Sequence, residues 1–255
     1  MSDVLDEILA AKRARLARGE YRGGGKADRP SDGAAFLASL REPGTRIIAE
    51  IKARSPSAGE LLRGADGKIE SFALHYRRGR AAAISVVTEE DSFGGRPEWV
   101  PRAKSISGLP VLMKDFVISE SQLDFAVSLG ADAVLLIVRA LSEEELAALR
   151  RGAGERGLSA VVEAHVAEEI RRAAAVHPDV LGVNARDLAT FATDIDALAA
   201  LAKEIPEGPV RMAESGIRSR EDVVALTAAG FEAFLVGETL LRAEDPEEDL
   251  RSLRR

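Results

Sequence analysis

Short apolar runs alternate along the chain with longer stretches in which apolar residues recur at helical spacing. In residues 119–129, for example, Leu123, Ala126 and Val127 share one face of a helix, and Gly130 follows as a stop signal. Strands that are apolar throughout and alternate with helices are typical of a parallel sheet covered by helices. The eight runs that we predict to be strands span residues 46–51, 82–87, 111–113, 133–138, 160–163, 180–184, 210–214 and 233–236.

Eight strand–helix units favour a closed (β/α)8 barrel over an open doubly wound sheet, which usually has fewer strands. We therefore predict an α/β fold with a single TIM barrel domain over residues 46–255 and an N-terminal helical extension over residues 1–45. In the extension, apolar residues between Leu5 and Leu16 predict an amphipathic helix that packs on the barrel, with a mobile tail as the alternative. The glycines at 23–25 end that helix, and Ser31 is expected to cap a second helix through Leu40.

Composition excludes several classes of function. The absence of cysteine rules out disulfides, thiolate metal sites and thiol nucleophiles, and three scattered histidines argue against a metal centre. His165, two residues after Glu163, is interpreted as a loop histidine, with a position at the open end of the barrel as the alternative. A net charge of −7 argues against nucleic acid as a partner, and a basic cluster that includes Lys12 and Arg15 is interpreted as a solvated helix face. No apolar run approaches the roughly 20 residues of a membrane span, so we expect no membrane partner and a cytoplasmic protein.

Charged side chains stand at the carboxyl ends of the predicted strands, where the active sites of such barrels form. Glu50 and Lys52 close the first strand, and Lys114, Glu163 and Glu214 close the third, fifth and seventh. Only seven of the 35 basic residues are lysines. A lysine at the end of an apolar run therefore needs an explanation, because an ammonium can exchange a proton near neutrality and a guanidinium cannot. The five groups indicate either a proton-transfer site or an ion-pair network that only stabilises the barrel.

Glycines follow the last two predicted strands. Ser215 and Gly216 come after the seventh strand, and Gly237 comes after the eighth, before a short helix predicted at 239–243. Glycine lets a ligand approach the backbone closely, and the loops after strands seven and eight are the usual phosphate site of this fold. We therefore expect a phosphate site here, with ordinary left-handed turns as the alternative.

Several segments resemble the indole-3-glycerol-phosphate synthase family of tryptophan biosynthesis, and the resemblance covers residues 4–243 in order. The family usually has a basic residue where Ala53 stands and often a lysine where Ala58 stands, which concerns the first loop rather than the core of the site. The segments are IIAEIKARSPSAG at 47–59, SVVTEE at 85–90 with Phe93 and Gly94, PVLMKDF at 110–116, GADAVLLI at 130–137, VEAH at 162–165, GVNARDL at 182–188, AESGI at 213–217 and FLVGE at 234–238.

The resemblance implies a carbon–carbon lyase that converts 1-(2-carboxyphenylamino)-1-deoxyribulose 5-phosphate into indole-3-glycerol phosphate. The reaction closes a ring and releases CO₂ and water, and the family needs no cofactor or metal. By matching position, Lys114 is expected to protonate the ketose oxygen, and Glu163 to stabilise the resulting cation and act in the dehydration. Glu50 and Lys52 are expected to transfer protons and orient the substrate, and Asn184 to bind a hydroxyl group.

The same resemblance implies residues that bind the phosphosugar substrate. Arg186 and Ser55 are expected to bind the anthranilate carboxylate, while Phe93 and Phe116 line its aromatic pocket. Glu214 shares the same cavity. The expected phosphate ligands are Ser215, Gly216, Gly237 and Glu238. The resemblance assigns no association with other tryptophan-pathway enzymes.

Three other functions are alternatives to the synthase activity. A Schiff-base aldolase on the same fold would also need a buried lysine, and Lys114 or Lys52 could form the imine. A related phosphosugar isomerase is disfavoured, because the Cys and Asp acid–base pair expected there is missing. A non-catalytic binding barrel is also disfavoured, since such a protein would be expected to lose charged residues at this end of the barrel, and all are present.

Overall fold

Eight parallel strands form a closed barrel in the structure, a computed structural model that describes residues 4–22, 27, 30–56, 58–186 and 193–255. Each strand pairs with its neighbours in sequence, and the last pairs with the first, so the predicted (β/α)8 barrel is confirmed. The predicted strands agree with the observed ones to within one residue at each end. The strands are β1 (Arg46–Ile51), β2 (Ala83–Val87), β3 (Val111–Lys114), β4 (Ala133–Ile137), β5 (Ser159–Ala164), β6 (Val180–Asn184), β7 (Val210–Glu214) and β8 (Ala233–Val236).

A helix follows every strand, and two more helices precede the barrel. A short hairpin that was not predicted, Arg54–Ser55 with Gly59–Glu60, lies in the loop after β1. In the described residues no helix is both long enough and apolar enough to cross a membrane. The helices are α1 (Val4–Ala17), α2 (Gly33–Arg41), α3 (Ile69–Arg78), α4 (Trp99–Ser107), α5 (Glu120–Leu129), α6 (Glu143–Glu155), α7 (Ala167–Ala175), α8 (Ile195–Leu201), α9 (Arg220–Ala229), α10 (Glu238–Arg242) and α11 (Pro246–Arg254).

Two apolar cores follow from the alternation of side chains along the strands. One lies between the strands and the surrounding helices, and it includes Ile47 and Ala49 of β1. The other fills the barrel with residues such as Ile48, and Phe36 and Leu40 of α2 join it. Helix α2 therefore closes one end of the barrel, which leaves the end where the strands terminate as the open one.

The two helices of the extension differ from the prediction in the cap of α2 and in the end of α1. Ser31 was expected to cap α2, but Asp32 does so: its carboxylate accepts a hydrogen bond from the Ala35 N–H at 2.9 Å. The N–H of Asp32 donates to Asp132 Oδ1 at 2.7 Å, which fixes the cap residue at position 32. Helix α1 ends at Ala17, so the prediction that the glycines at 23–25 end it is wrong; these glycines lie outside the described residues.

Helix α1 buries Leu5, Ile8 and Leu9 together with Lys12. The interpretation of the basic cluster as a solvated face is wrong for Lys12, which is only 1 % exposed. Its ammonium lies 2.7 Å from Asp115 Oδ1, so a carboxylate supplied by the barrel compensates its burial.

Candidate active site

A cavity of about 310 Å³ opens where the strands end. Every residue predicted for the site lines it except Glu214, which is fully buried beneath it and contacts Lys114. The lining residues from the prediction are Glu50, Lys52, Ser55, Phe93, Lys114, Phe116, Glu163, Asn184, Arg186, Ser215, Gly216, Gly237 and Glu238.

Alternate strands supply the charged layer at the floor of the cavity. Inside a TIM barrel, side chains from every second strand share a layer. In β1, β3, β5 and β7 the apolar layer is Ile48, Leu112, Val161 and Met212, all of which belong to the inner core. Because side chains two residues apart point to the same side, the next inward residues of these strands form the layer above. They are Glu50, Lys114, Glu163 and Glu214.

Lys114 is the centre of this layer. Its Nζ donates a hydrogen bond to Glu214 Oε2 at 2.7 Å and lies 3.6 Å from Glu163 Oε2 and 3.8 Å from Glu50 Oε2. The other oxygen of Glu50 accepts a hydrogen bond from Lys52 Nζ at 2.6 Å. Two ammonium groups thus share three carboxylates in one buried cluster.

The cluster shifts the pKa values of its members in different directions. Burial raises the pKa of Glu214 to about 7, and the negative charge of Glu163 adds to the rise despite Lys114. Burial also acts to raise the pKa values of Glu50 and Glu163, but nearby cations lower both below their usual value. For Lys114 burial acts to lower the pKa, and the three carboxylates more than reverse this, so the ammonium stays protonated. With Glu214 protonated, the cluster carries no net charge.

Two glycines make room for these carboxylates. A Cβ at Gly182 of β6 would lie 2.3 Å from Glu214 Oε1, and a Cβ at Gly237 would lie 2.6 Å from Glu50 Oε1. With either Cβ present the carboxylate would have to move, so each glycine lets its carboxylate keep the observed position. From the sequence, Gly237 was predicted only as a phosphate ligand and Gly182 had no predicted role. The contacts of Gly182 with Glu214 and of Gly237 with Glu50 join residues that are far apart in the chain.

The two phenylalanines of the cavity lie on the loops after β2 and β3, with ring centroids 6.3 Å apart. The Phe93 N–H donates to Glu89 Oε2 at 2.9 Å, and the Phe116 N–H donates to Asp115 Oδ1 at 2.7 Å. Lys12 links the two loops: its Nζ lies 2.7 Å from Asp115 Oδ1 and 3.9 Å from Glu89 Oε1. Sequence analysis missed these three supporting residues, although the rarity of lysine in the chain was a usable signal for Lys12.

His165 lies beside the site, which was the less favoured of its two interpretations from sequence. It follows β5 as predicted, but its side chain is only 5 % exposed, and its Nε2 lies 3.4 Å from Glu163 Oε1. The available signal was its position two residues after Glu163, which directs both side chains to one side of the strand.

Three further polar residues of the predicted site, Asn184, Arg186 and Ser55, line the cavity. Asn184 Oδ1 accepts a hydrogen bond from the Arg186 N–H at 2.9 Å, and Ser55 Oγ accepts one from the Ala58 N–H at 3.1 Å. Asp187 and Leu188 of the predicted motif lie outside the described residues. Among the residues that are described, no group of three or more acidic or histidine ligands is arranged to bind a metal ion.

Comparison with known proteins agrees with this geometry. Residues 5–253 match the family model described as indole-3-glycerol phosphate synthase. The chain is 46% identical over 218 residues to "Indole-3-glycerol phosphate synthase 2" of Streptomyces coelicolor, covering 86% of this chain and 84% of that protein. It is 41% identical to the indole-3-glycerol phosphate synthase of Mycobacterium avium, in a match that covers 95% of this chain and 90% of that protein.

Solved structures that share the fold at low identity include the 3-hexulose-6-phosphate synthase of Salmonella typhimurium. That structure matches with a TM-score of 0.62 and 18% identity, over 82% of this chain and 96% of the other. At this identity the likeness concerns the barrel fold alone.

Proposed function

The chain belongs to the indole-3-glycerol phosphate synthase family, and on that premise we propose how its cavity performs the reaction. The enzyme is a carbon–carbon lyase of tryptophan biosynthesis: it converts 1-(2-carboxyphenylamino)-1-deoxyribulose 5-phosphate into indole-3-glycerol phosphate, CO₂ and water. The observation that supports the assignment of roles is the buried layer in which Lys114 contacts Glu50, Glu163 and Glu214.

The substrate spans the cavity from its aromatic end to its phosphate end. The anthranilate ring lies between Phe93 and Phe116, and its carboxylate meets Arg186 and Ser55. The phosphate lies at the opposite side, where the backbone of Ser215, Gly216, Gly237 and Glu238 lines the cavity. Ser215 and Gly216 have φ values of 68° and 77°, so the loop after β7 turns in the left-handed region, which lets N–H groups face a bound anion.

Lys114 acts as the general acid of ring closure. As the ring carbon attacks the ketone, its oxygen develops alkoxide character and becomes far more basic than an amine. An ammonium with a raised pKa therefore still protonates it, and it arrives at the reaction already charged. Lys52 and Glu50 orient the ketone end of the substrate and return a proton to the site. Their hydrogen bond keeps both side chains at the floor of the cavity.

The carboxylates act after the ring has closed. Closure leaves a cation on the nitrogen, and the ionised Glu163 stabilises it until CO₂ departs and restores the ring electrons. Glu163 then takes the proton lost in the dehydration, while Asn184 binds the hydroxyl of the intermediate. Glu214 lies below Lys114, and we assign it the positioning of the ammonium.

The direct test is incubation of the purified protein with the substrate while indole fluorescence and CO₂ release are followed together. We expect both signals from the wild type and neither from Lys114→Met, which keeps the length of the side chain without its charge. Borohydride is then added during turnover. A covalent substrate adduct on a lysine, with no indole formed, would replace this proposal with the Schiff-base aldolase.

Two further assignments complete the proposal. We propose that residues 1–45 form an extension distinct from the barrel domain at 46–255, since β1 begins at Arg46 and α2 covers the closed end of the barrel. We also propose that the enzyme works in the cytoplasm, because a chain without cysteine gains nothing from an oxidising compartment.

A further inference from the structure

His165 lies between two carboxylates: Glu163, which lines the cavity, and Glu169, which is buried in the first turn of α7. Its Nε2 is 3.4 Å from Glu163 Oε1, and its Nδ1 is 3.4 Å from Glu169 Oε2. Arg139, on the turn after β4, donates a hydrogen bond from Nε to Glu169 Oε1 at 2.9 Å, and its side chain is 34 % exposed. The three groups therefore form a chain from the catalytic layer to a partly exposed arginine.

The elements β5 and α7 fix the positions of Glu163 and Glu169, whereas the imidazole of His165 is held less firmly. Glu163 is the inward residue of β5, and Glu169 is in the first turn of α7, where its Oε2 accepts the His165 N–H at 2.7 Å. Neither ring nitrogen has a hydrogen-bond partner within the described chain. The ring is thus held by two charged contacts of 3.4 Å rather than by a hydrogen bond of fixed geometry.

The reaction requires a proton from outside the substrate in every turnover. The former ketone oxygen takes up two protons and leaves as water, while the carbon that joins the new double bond gives up one. The substrate carboxylate leaves as neutral CO₂, and its electron pair neutralises the cation on the nitrogen. The balance is one proton consumed per turnover, and it has to reach a buried site that the substrate covers.

We propose that His165 relays this proton from solvent to Glu163. The imidazolium gives its Nε2 proton to Glu163 Oε1, so that one N–H bond breaks and one O–H bond forms, and the neutral ring keeps the proton on Nδ1. Rotation of the ring about the Cβ–Cγ bond then moves the bare Nε2 to the former position of Cε1, between the two carboxylates, where it can accept a proton from Glu169. A solvent proton that arrives through Glu169 restores the imidazolium. The relay acts after CO₂ has left: Glu163 gives the relayed proton to the departing hydroxyl, then takes the proton lost by carbon and returns it to Lys114, 3.6 Å away. This inference rests on the proposed function.

The electrostatic surroundings favour the charged form of the ring. Burial acts to lower the pKa of His165, but Glu169 and Glu163 raise it above its usual value despite the charge of Arg139. These three groups, from α7, β5 and the turn after β4, are the charged neighbours of the ring in the described residues. The imidazolium is thus populated near neutral pH, where it can both give and receive a proton.

The relay is tested with His165→Asn, which keeps a polar donor beside Glu163 but cannot carry a proton. We expect kcat to fall roughly tenfold to hundredfold, because one proton-transfer group is lost, with KM changed less than about twofold. We also expect added imidazole to raise kcat of the variant. The solvent isotope effect, kcat in H₂O divided by kcat in D₂O, should be larger for the variant than for the wild type. The matched control is His177→Asn, at an exposed histidine whose φ of 48° suits asparagine.

Glu169→Gln provides a second and independent variant. Glutamine still accepts the His165 N–H, so the start of α7 is retained while the surface end of the relay is removed. We expect the same loss in kcat and the same rescue by small buffers with His165 intact. If His165→Asn does not fold, this variant decides the question.

The possible failures are distinguishable. A wild-type protein that forms no indole from the substrate would refute the proposed function itself. Wild-type turnover in either variant, or a loss that imidazole and D₂O leave unchanged, would refute the relay alone and leave His165 with a structural role.

Discussion

At the scale of single residues, charge alone does not explain Lys114. A guanidinium pairs with carboxylates at least as well as an ammonium does, so a purely structural cation in this arginine-rich chain could have been arginine. What an ammonium adds is a proton that it can give up to a developing alkoxide. The three carboxylates around it keep that proton in place until the substrate needs it.

Lys114→Arg separates these two roles. Arginine keeps the positive charge but cannot release its proton, so we expect kcat to fall by about 10²–10⁴ if the general-acid role is correct. KM should change far less, because the phosphate and carboxylate are bound elsewhere. Steady-state kinetics with the natural substrate measure both constants. A variant with more than about a tenth of wild-type kcat would contradict the general-acid role.

Glu214 makes the stability of the protein depend on pH. Its pKa is raised to about 7 in the folded state, so between its unfolded value of 4.5 and 7 the folded protein binds more protons than the unfolded chain. The contribution of Glu214 to the free energy of unfolding is therefore fully present below the unfolded pKa and is lost as pH rises through about 7. The loss amounts to up to about 3 kcal/mol, since the side chain is fully buried.

Urea denaturation at pH 5 and pH 7.5 measures this effect. We expect the difference in unfolding free energy between the two pH values to shrink in Glu214→Gln, which cannot ionise. Glu155→Gln, at an exposed helix position, is the control and should leave the difference unchanged. An equal pH dependence in Glu214→Gln and the wild type would show that this carboxyl is already ionised.

At the scale of elements, α1 contributes to the cavity from outside the barrel. Lys12 reaches between the loops after β2 and β3 and pairs with Asp115, directly after Lys114 in sequence. The hydroxyl of Tyr21 accepts a further hydrogen bond from Lys12 Nζ at 3.0 Å. The loops that carry Phe93 and Phe116 are therefore linked through the extension, which gives α1 an effect on substrate binding.

Lys12→Met tests this link. Removal of one partner leaves the buried Asp115 without its cation, for which we expect a loss of about 3–5 kcal/mol in unfolding free energy. KM should rise more than kcat falls, because the aromatic pocket loosens while Lys114 remains. Denaturation and kinetics are compared with those of Arg13→Met, at an exposed neighbour on the same helix. Addition of Asp115→Asn should recover part of the stability; no recovery would mean that the ion pair is not the cause.

The same elements show how far sequence reasoning reaches. The strands of the barrel were predictable because each one is a short, largely apolar run, and the regular alternation of runs and helices implies that all the strands end on the same side of the barrel. The sequence contains only indirect signals for Lys12 and His165 and none for Gly182, since their roles depend on contacts made after the chain has folded: with Asp115, with Glu169 and with Glu214 Oε1. The cap of α2 moved from Ser31 to Asp32 for a similar reason, a hydrogen bond with the distant Asp132.

At the scale of the whole molecule, the two ends of the barrel have different tasks. Phe36 and Leu40 of α2 complete the inner core at the closed end, and the N–H of Gly33 donates to Gly157 O at 2.9 Å. Ser159 Oγ, at the start of β5, donates to Gly33 O at 2.8 Å. The charged layer lies at the other end of the same strands, so stability and chemistry can be changed separately.

Gly33→Ala should change stability without changing the chemistry. A Cβ at this position would lie 2.4 Å from the Ser159 backbone nitrogen, so α2 has to move away from β5, and we expect a loss of about 1–3 kcal/mol from this overpacking. Gly154→Ala is the matched control. Gly154 is exposed inside α6, where the same substitution should stabilise the protein by about 0.5–1 kcal/mol because alanine favours the helix.

In thermal denaturation we expect Tm to fall in Gly33→Ala and to rise in Gly154→Ala. Kinetics at temperatures below the unfolding transitions of both variants give the activity of the folded enzyme. In Gly33→Ala we expect kcat and KM to stay at wild-type values, since β5 still places Glu163 beside Lys114 at the far end of the strand. A fall in kcat of the folded variant would mean that the position of α2 is transmitted along β5 to the charged layer. The barrel would then couple its two ends instead of separating them.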